Sequence, residues 1–131
     1  MLYTTHHLRL DDIPEDAIKL IIMRFPPKEV NMLKYDKIHV VAGLSPSNEL
    51  INWYNTTYKT YDDWREYEKK FAIEIQNRED MNRDIEKVAK LVERGNDVFL
   101  ICCEKNYNKC HRMLLGNEIK KRYGIEWQEY K

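Results

Sequence analysis

The sequence predicts an α/β fold: a mainly parallel sheet of about four or five strands flanked by helices, Rossmann-like and three-layered, with a helical insertion in the middle of the chain. Three observations lead there. Short apolar, β-branched runs alternate with segments of helical periodicity, and the unbroken run Val98–Cys102 suits a strand buried on both faces. Turn and cap residues fall between these segments. Between the third and fourth strands, two or three helical patterns follow one another, which points to a helical cap over one side of the sheet.

Taken in order, Leu2 to Thr5 is a short first strand. Ile18 to Arg24 is β-branched and apolar, and Pro26-Pro27 stops it because proline cannot donate to a ladder. Lys37 to Ala42 is a third strand, released at Gly43. Ser45-Pro46 then reads as an N-cap with proline in the first helical turn, and the helix carries Leu50, Trp53 and Tyr54 on one face. Thr60 and Asp63 form a capping pattern for a helix whose inward face is Trp64, Tyr67, Phe71 and Ile75. Asp80 or Asn82 caps the next helix, with Ile85, Val88, Ala89 and Val92 inward and Gly95-Asn96-Asp97 ending it. After Val98–Cys102 comes a helix from about Lys109 to Tyr123, stopped by Gly124, and Ile125 to Gln128 forms an edge strand.

The 131 residues suit one domain over 1–131, with an apolar fraction of 43%. Charge is balanced, 22 basic against 22 acidic residues, which argues against a general nucleic-acid coat while allowing a local basic patch. No apolar run approaches the roughly 20 residues of a membrane span, and the first residues lack a signal-peptide pattern. An odd cysteine number with no secretory signal leads to the expectation of free thiols in a cytoplasmic setting.

All three cysteines lie between Cys102 and Cys110, at the carboxyl end of the predicted fourth strand, where open α/β sheets place their ligands. Cys110 falls in the predicted first helical turn, where backbone N–H groups, Lys105, Lys109 and Arg112 favour a thiolate; packing as a small apolar residue is the structural alternative. Strand alternation sends Cys102 and Cys103 to opposite faces, so Cys102 is expected near Glu104 and Cys103 in the core. Glu104 suits a general acid/base or a loop carboxylate paired with Lys105. His111 and Arg112 diverge by about 100° on a helix, so only one points into the pocket. Arg112 suits a phosphate at the helix start, or else a structural hold on Glu104.

Arg24 at the end of the second strand could reach the same edge, as could Ser45 and Ser47 at a helix start, although capping alone accounts for the serines. His6-His7 could enter from a neighbouring loop. The Trp64/Tyr67/Phe71 stripe has the spacing of a buried helical face. Cys102, Glu104, Cys110 and His111 are all zinc ligand types. The Cys-x7-Cys-His spacing is not a standard finger, however, and adjacent ligands strain a tetrahedral site, so no metal is assigned. No cofactor motif is present: neither a Walker loop, nor a dinucleotide glycine fingerprint, nor a serine elbow occurs. The spacing also departs from a Cys-x5-Arg phosphatase loop.

These residues resemble domain-of-unknown-function family 488, whose hallmark is an apolar strand running into Cys-x-Glu-Lys and then Cys-His-Arg. Here the matching residues are Cys102, Glu104, Lys105, Cys110, His111 and Arg112. Arg24-Phe25-Pro26 is similar to the family's Arg-x-Pro element, Ser45-Pro46-Ser47 with Leu50 to its helix start, and Thr60…Trp64…Tyr67 to its aromatic helix. Many members carry an acidic residue shortly before the arginine; here Ile21, Ile22 and Met23 stand there. The resemblance implies a compact α/β fold and a site made by Arg24, Cys102, Glu104, Cys110, His111 and Arg112, without naming a reaction.

Three functions follow as alternatives. The first is an enzyme or binder for a phosphate-bearing molecule, a nucleotide or nucleic acid, with Glu104, Cys110 and Cys102 as reactive groups and Arg24, Ser45, Ser47, His111 and Arg112 as binding groups. The second is a thiol redox or metal module using Cys102 and Cys110. The third is a non-catalytic interaction protein in which the motif braces its own turn.

Overall fold

The computed structural model describes residues 1–104 and 106–130. Five strands form one parallel sheet: β1 (Leu2–His6), β2 (Ile18–Ile21), β3 (Ile38–Val40), β4 (Val98–Cys102) and β5 (Trp127–Glu129). Their order is β3-β2-β4-β1-β5, with the fully buried β4 in the middle. The described residues form α-helices α1 (Asn48–Asn55), α2 (Tyr61–Asn77), α3 (Glu79–Glu93) and α4 (His111–Tyr123). This is the predicted three-layer α/β class, with α1 to α3 forming the helical insertion between β3 and β4. No helix among the described residues is long and apolar enough to cross a membrane.

Strand alternation divides the core. Leu2, Leu20, Val98, Leu100 and Cys102 face the helices, where they meet Phe71, Ile75, Met81, Ile85, Val88, Leu115 and Ile119. Ile21, Phe99 and Ile101 face the other way, beneath a 3-10 turn (His7–Asp12) and loops that supply Leu10, Ile13 and Ala17. Tyr3 stacks on Phe99 at 4.7 Å, and Tyr130 closes this layer edge-on at 4.9 Å from Phe99. The amphipathic face predicted for α2 is the buried one: Trp64, Tyr67, Phe71 and Ile75. Thr60 and Asp63 make a reciprocal capping box at its start, and Gly124, at φ 69°, ends α4 in the left-handed conformation that glycine tolerates.

Two cap assignments are corrected. Ser47, not Ser45, caps α1, accepting from the Leu50 N–H at 3.1 Å. Ser45 Oγ instead donates to the Ala42 carbonyl at 2.8 Å and helps close the preceding 3-10 turn. Arg78 precedes α3 with no side-chain cap; Asp80 lies inside the helix, bonded to its own neighbour Met81 and to Arg78. Arg78 also donates to the carbonyls of Ser45 and Gly43, tying the loop before α1 to the α2–α3 corner.

The connections leaving β2 and β4 run to opposite sides of the sheet, β2 outward to β3 and β4 across β1 to β5. A crevice therefore opens at the carboxyl ends of these adjacent strands, the switch point at which α/β sheets bind ligands. At the β5 edge of the sheet, Gly116 lets α4 lie against Trp127 of β5: a Cβ built at Gly116 would sit 2.7 Å from the indole ring. Gly116→Ala is therefore expected to lower unfolding free energy by about 1–3 kcal/mol through overpacking, against the roughly 1 kcal/mol gain usual for Gly→Ala in a helix. Urea unfolding measures it, and a variant at least as stable as the parent would contradict the packing described.

Candidate functional site

A cavity of about 390 Å³ occupies the crevice. Its walls come from the chain after β2 (Ile22 to Phe25), the turn before α1 (Ser45, Pro46), α1 and the loop after it (Ile51, Tyr54, Lys59), α2 (Trp64, Tyr67) and the chain after β4. Cys102, Cys103, Glu104, Lys109 and His111 form the β4–α4 side. Of the residues singled out in the sequence, Arg24, Ser45, Cys102, Glu104 and His111 border this cavity.

His111 organises the floor. It is the first residue of α4 and nearly fully buried, at 6% exposure. Its Nε2 lies 2.7 Å from the Ile22 carbonyl, which can only accept, so Nε2 carries a proton. Nδ1 is left facing both buried thiols, 3.7 Å from Cys102 Sγ and 3.8 Å from Cys110 Sγ. Phe71 of α2 meets the imidazole edge-on at 5.9 Å and fixes its other side. Burial opposes charge on His111, but the Cys102 sulfur and the Ile22 carbonyl raise its pKa above the ordinary value. Burial likewise opposes a Cys110 thiolate; the Cys102 hydrogen bond and Arg112 outweigh it and lower that thiol's pKa. The three side chains are mutually close, with the ligand atoms of Cys102, Cys110 and His111 within 4.8 Å of one another.

Arg112 points elsewhere. Its guanidinium is fully buried and grips Glu129 of β5 with two hydrogen bonds, Nε to Oε1 at 3.1 Å and Nη2 to Oε2 at 2.9 Å. Nη1 donates to the Glu104 carbonyl. Thr4 of β1 donates to the same Glu129 carboxylate at 2.7 Å. A charged group already satisfied by a bidentate carboxylate and buried from solvent is not placed to meet a phosphate in the cavity, whose walls it does not reach. The expected phosphate contact is replaced by the structural hold, made through the backbone of Glu104 and not its carboxylate.

Cys110 is buried behind Cys102 and does not line the cavity; it is the N-cap residue of α4 rather than a residue of its first turn. Cys103 was expected in the core but is exposed and lines the cavity, because the strand ends at Cys102 and alternation ends with it. Ser47 is not a cavity residue; Glu74 takes its N–H at 2.8 Å and its hydroxyl at 2.6 Å. His6 and His7 also lie off the cavity wall. Arg24 reaches the cavity, with a buried Nε that has no hydrogen-bond partner among the described residues. The Glu104 carboxylate is exposed at the rim; Lys105, its predicted partner, lies outside the described residues.

Sequence reasoning missed several groups. Glu129, which holds Arg112, comes from the far end of the chain and carries no local signal. Tyr54, Trp64 and Tyr67 have the spacing of helix faces and Lys59 carries no sequence signal, yet all four border the cavity, the aromatic edges forming its apolar wall. Tyr54 and Tyr67 stand 4.9 Å apart, and Tyr67 stacks on Trp64 at 4.9 Å and 16°. The cluster of aromatic residues around Trp64 was the one available hint.

The family model described as the active DUF488-N3 subclade matches residues 3–123. The chain therefore belongs to the DUF488 family. Neither the curated proteins nor the solved structures contain a significant match.

Because Arg112 and Glu129 satisfy each other in a site where their side chains are 0% and 9% exposed, removing either strands the other. Arg112→Met and Glu129→Leu are each expected to cost about 3–5 kcal/mol, the range for a broken buried pair. The double variant is expected to lose clearly less than the sum. Chemical denaturation of the four proteins tests this, and simple additivity would contradict the clamp.

Proposed function

We propose that the cavity binds a small aromatic molecule bearing a phosphate, of the nucleotide class, and that the Cys102–His111 floor acts on it. The observation that carries this reading is the placement of Arg24. A buried guanidinium nitrogen without a partner among the described residues is unusual unless something else satisfies it, and Arg24 lies on the wall of a cavity whose floor holds a thiol and an imidazole. Lys59 and Lys109 add positive charge to the same walls, while Tyr54, Trp64 and Tyr67 offer ring faces and edges for a planar group. The volume of about 390 Å³ falls within the range of small-molecule sites.

In this reading the phosphate lies toward Arg24 and Lys109, where charge-assisted hydrogen bonds are strongest. The ring lies against Tyr54 and Tyr67. The reacting atom sits over Cys102 and His111, and Glu104 at the rim exchanges protons with the ligand or with solvent. The description of the matching subclade as active supports a working site in this chain. Nucleic acid remains within the same reading as a chain end inserted into the cavity, consistent with the balanced overall charge. The alternative of a motif that only braces its turn is favoured for Arg112 by its hold on Glu129, but it leaves the Cys102 and His111 surfaces on the cavity unexplained.

Titration of adenosine, adenosine monophosphate and a short 5′-phosphorylated oligonucleotide, followed by calorimetry and by tryptophan fluorescence, tests the proposal. Saturable binding that requires the phosphate is expected, with Arg24→Ala weakening it by about tenfold or more. Absence of saturable binding, or equal affinity in the variant, would remove the reading.

A further inference from the structure

We infer that Cys102 Sγ, Cys110 Sγ and His111 Nδ1 form a three-ligand cradle for a zinc ion whose fourth position opens into the cavity. The inference stands on geometry alone and is independent of the ligand assigned above. In a tetrahedral centre with Zn–S near 2.3 Å and Zn–N near 2.0–2.1 Å, neighbouring sulfur and nitrogen ligands lie about 3.6 Å apart. Here Nδ1 stands 3.7 Å and 3.8 Å from the two sulfurs, and all three ligand atoms fall within 4.8 Å of one another. An ion placed among them needs only small shifts of side chains.

Three further features suit a metal. The Nε2 proton of His111 is committed to the Ile22 carbonyl at 2.7 Å, which leaves the Nδ1 lone pair aimed between the thiols. Metal-bound histidines commonly have their second nitrogen held in this way. The objection that adjacent ligands strain the site is answered by the backbone: Cys110 is extended, at φ −136° and ψ 146°, and His111 begins the helix, so the bend between them brings both side chains to one point. The set is also asymmetric. Cys102 and His111 border the cavity and Cys110 lies behind them, so the open coordination position faces ligand space. Two thiolates and an imidazole select a borderline-soft ion over magnesium or calcium. Three protein ligands with one open position are the pattern of catalytic, not structural, zinc. Binding displaces one proton from each thiol into solvent, so affinity rises with pH.

The test uses the full chain, reduced and stripped with a chelator, titrated with Co²⁺ alone and then with Zn²⁺. Expected are saturation at one ion per chain, a sulfur-to-cobalt charge-transfer band in the near ultraviolet, tetrahedral bands in the visible, and displacement by zinc. Cys102→Ser and Cys110→Ser should each diminish the charge-transfer band, and His111→Ala should weaken cobalt binding by more than about tenfold. Cys103→Ser should leave the spectrum unchanged. X-ray absorption of the zinc-loaded parent, which depends on no variant folding, should show two sulfur ligands. Absence of the charge-transfer band in the parent, or its loss in Cys103→Ser, would overturn the assigned cradle. Running the nucleotide titration on stripped and zinc-loaded protein separates the two claims. Sulfur-ligated cobalt without nucleotide binding leaves the metal centre standing and removes the ligand reading; nucleotide binding without sulfur ligation does the reverse.

Discussion

Between the Ile22 carbonyl and His111 Nε2 runs a 2.7 Å hydrogen bond that joins the end of β2 to the start of α4. It links two segments 89 residues apart in sequence across the crevice at the centre of the sheet. The bond has two effects. It satisfies a buried backbone carbonyl that has just left the ladder, and it determines which imidazole nitrogen faces the sulfurs. Rotating or removing this ring would leave Cys102 and Cys110 as packing residues and the cavity without its polar floor.

The Cys-His-Arg segment divides its work between two sides of α4. His111 turns toward β2 and the cavity; Arg112, one residue on, turns toward β1 and β5 and is held by Glu129, whose carboxylate also accepts from Thr4. Its contact with the Glu104 carbonyl fixes the loop that leaves β4. The guanidinium thus positions the loop that carries Cys103 and Glu104, while the imidazole and thiols face ligand space. A buried ion pair is a poor source of net stability but a strong constraint on register. Here it ties three strands and a helix to one arrangement.

Much of the architecture was legible because it is encoded locally. The apolar run Val98–Cys102, the 3,4,4 spacing from Trp64 to Ile75, the Thr60/Asp63 box and Gly124 each define their element through neighbours within a few residues. The gathering of Cys102, Glu104 and His111 at one sheet edge followed from strand and helix order alone. What sequence could not supply depends on distant partners. Ser47 and not Ser45 caps α1 because Glu74, 27 residues away, grips Ser47 while Arg78 holds the carbonyl of Ser45. Arg112 was read as a phosphate ligand because its carboxylate, on β5, is 17 residues downstream with no spacing rule to connect them. Cys103 was assigned to the core by extending strand alternation one residue past the point where the strand ends.

The cavity is built from both kinds of information. Its polar floor comes from the local motif, and its aromatic wall from helices that the fold brings over the sheet. The most direct test of the arrangement is the protonation pattern of His111, read from the ¹⁵N shifts of its ring in metal-free protein by long-range proton–nitrogen correlation across a pH series. The account predicts that Nε2 keeps its proton throughout and that Nδ1 is the nitrogen that titrates. A ring protonated at Nδ1 with a bare Nε2 would break the bond to Ile22, turn the lone pair away from the sulfurs and contradict the site described.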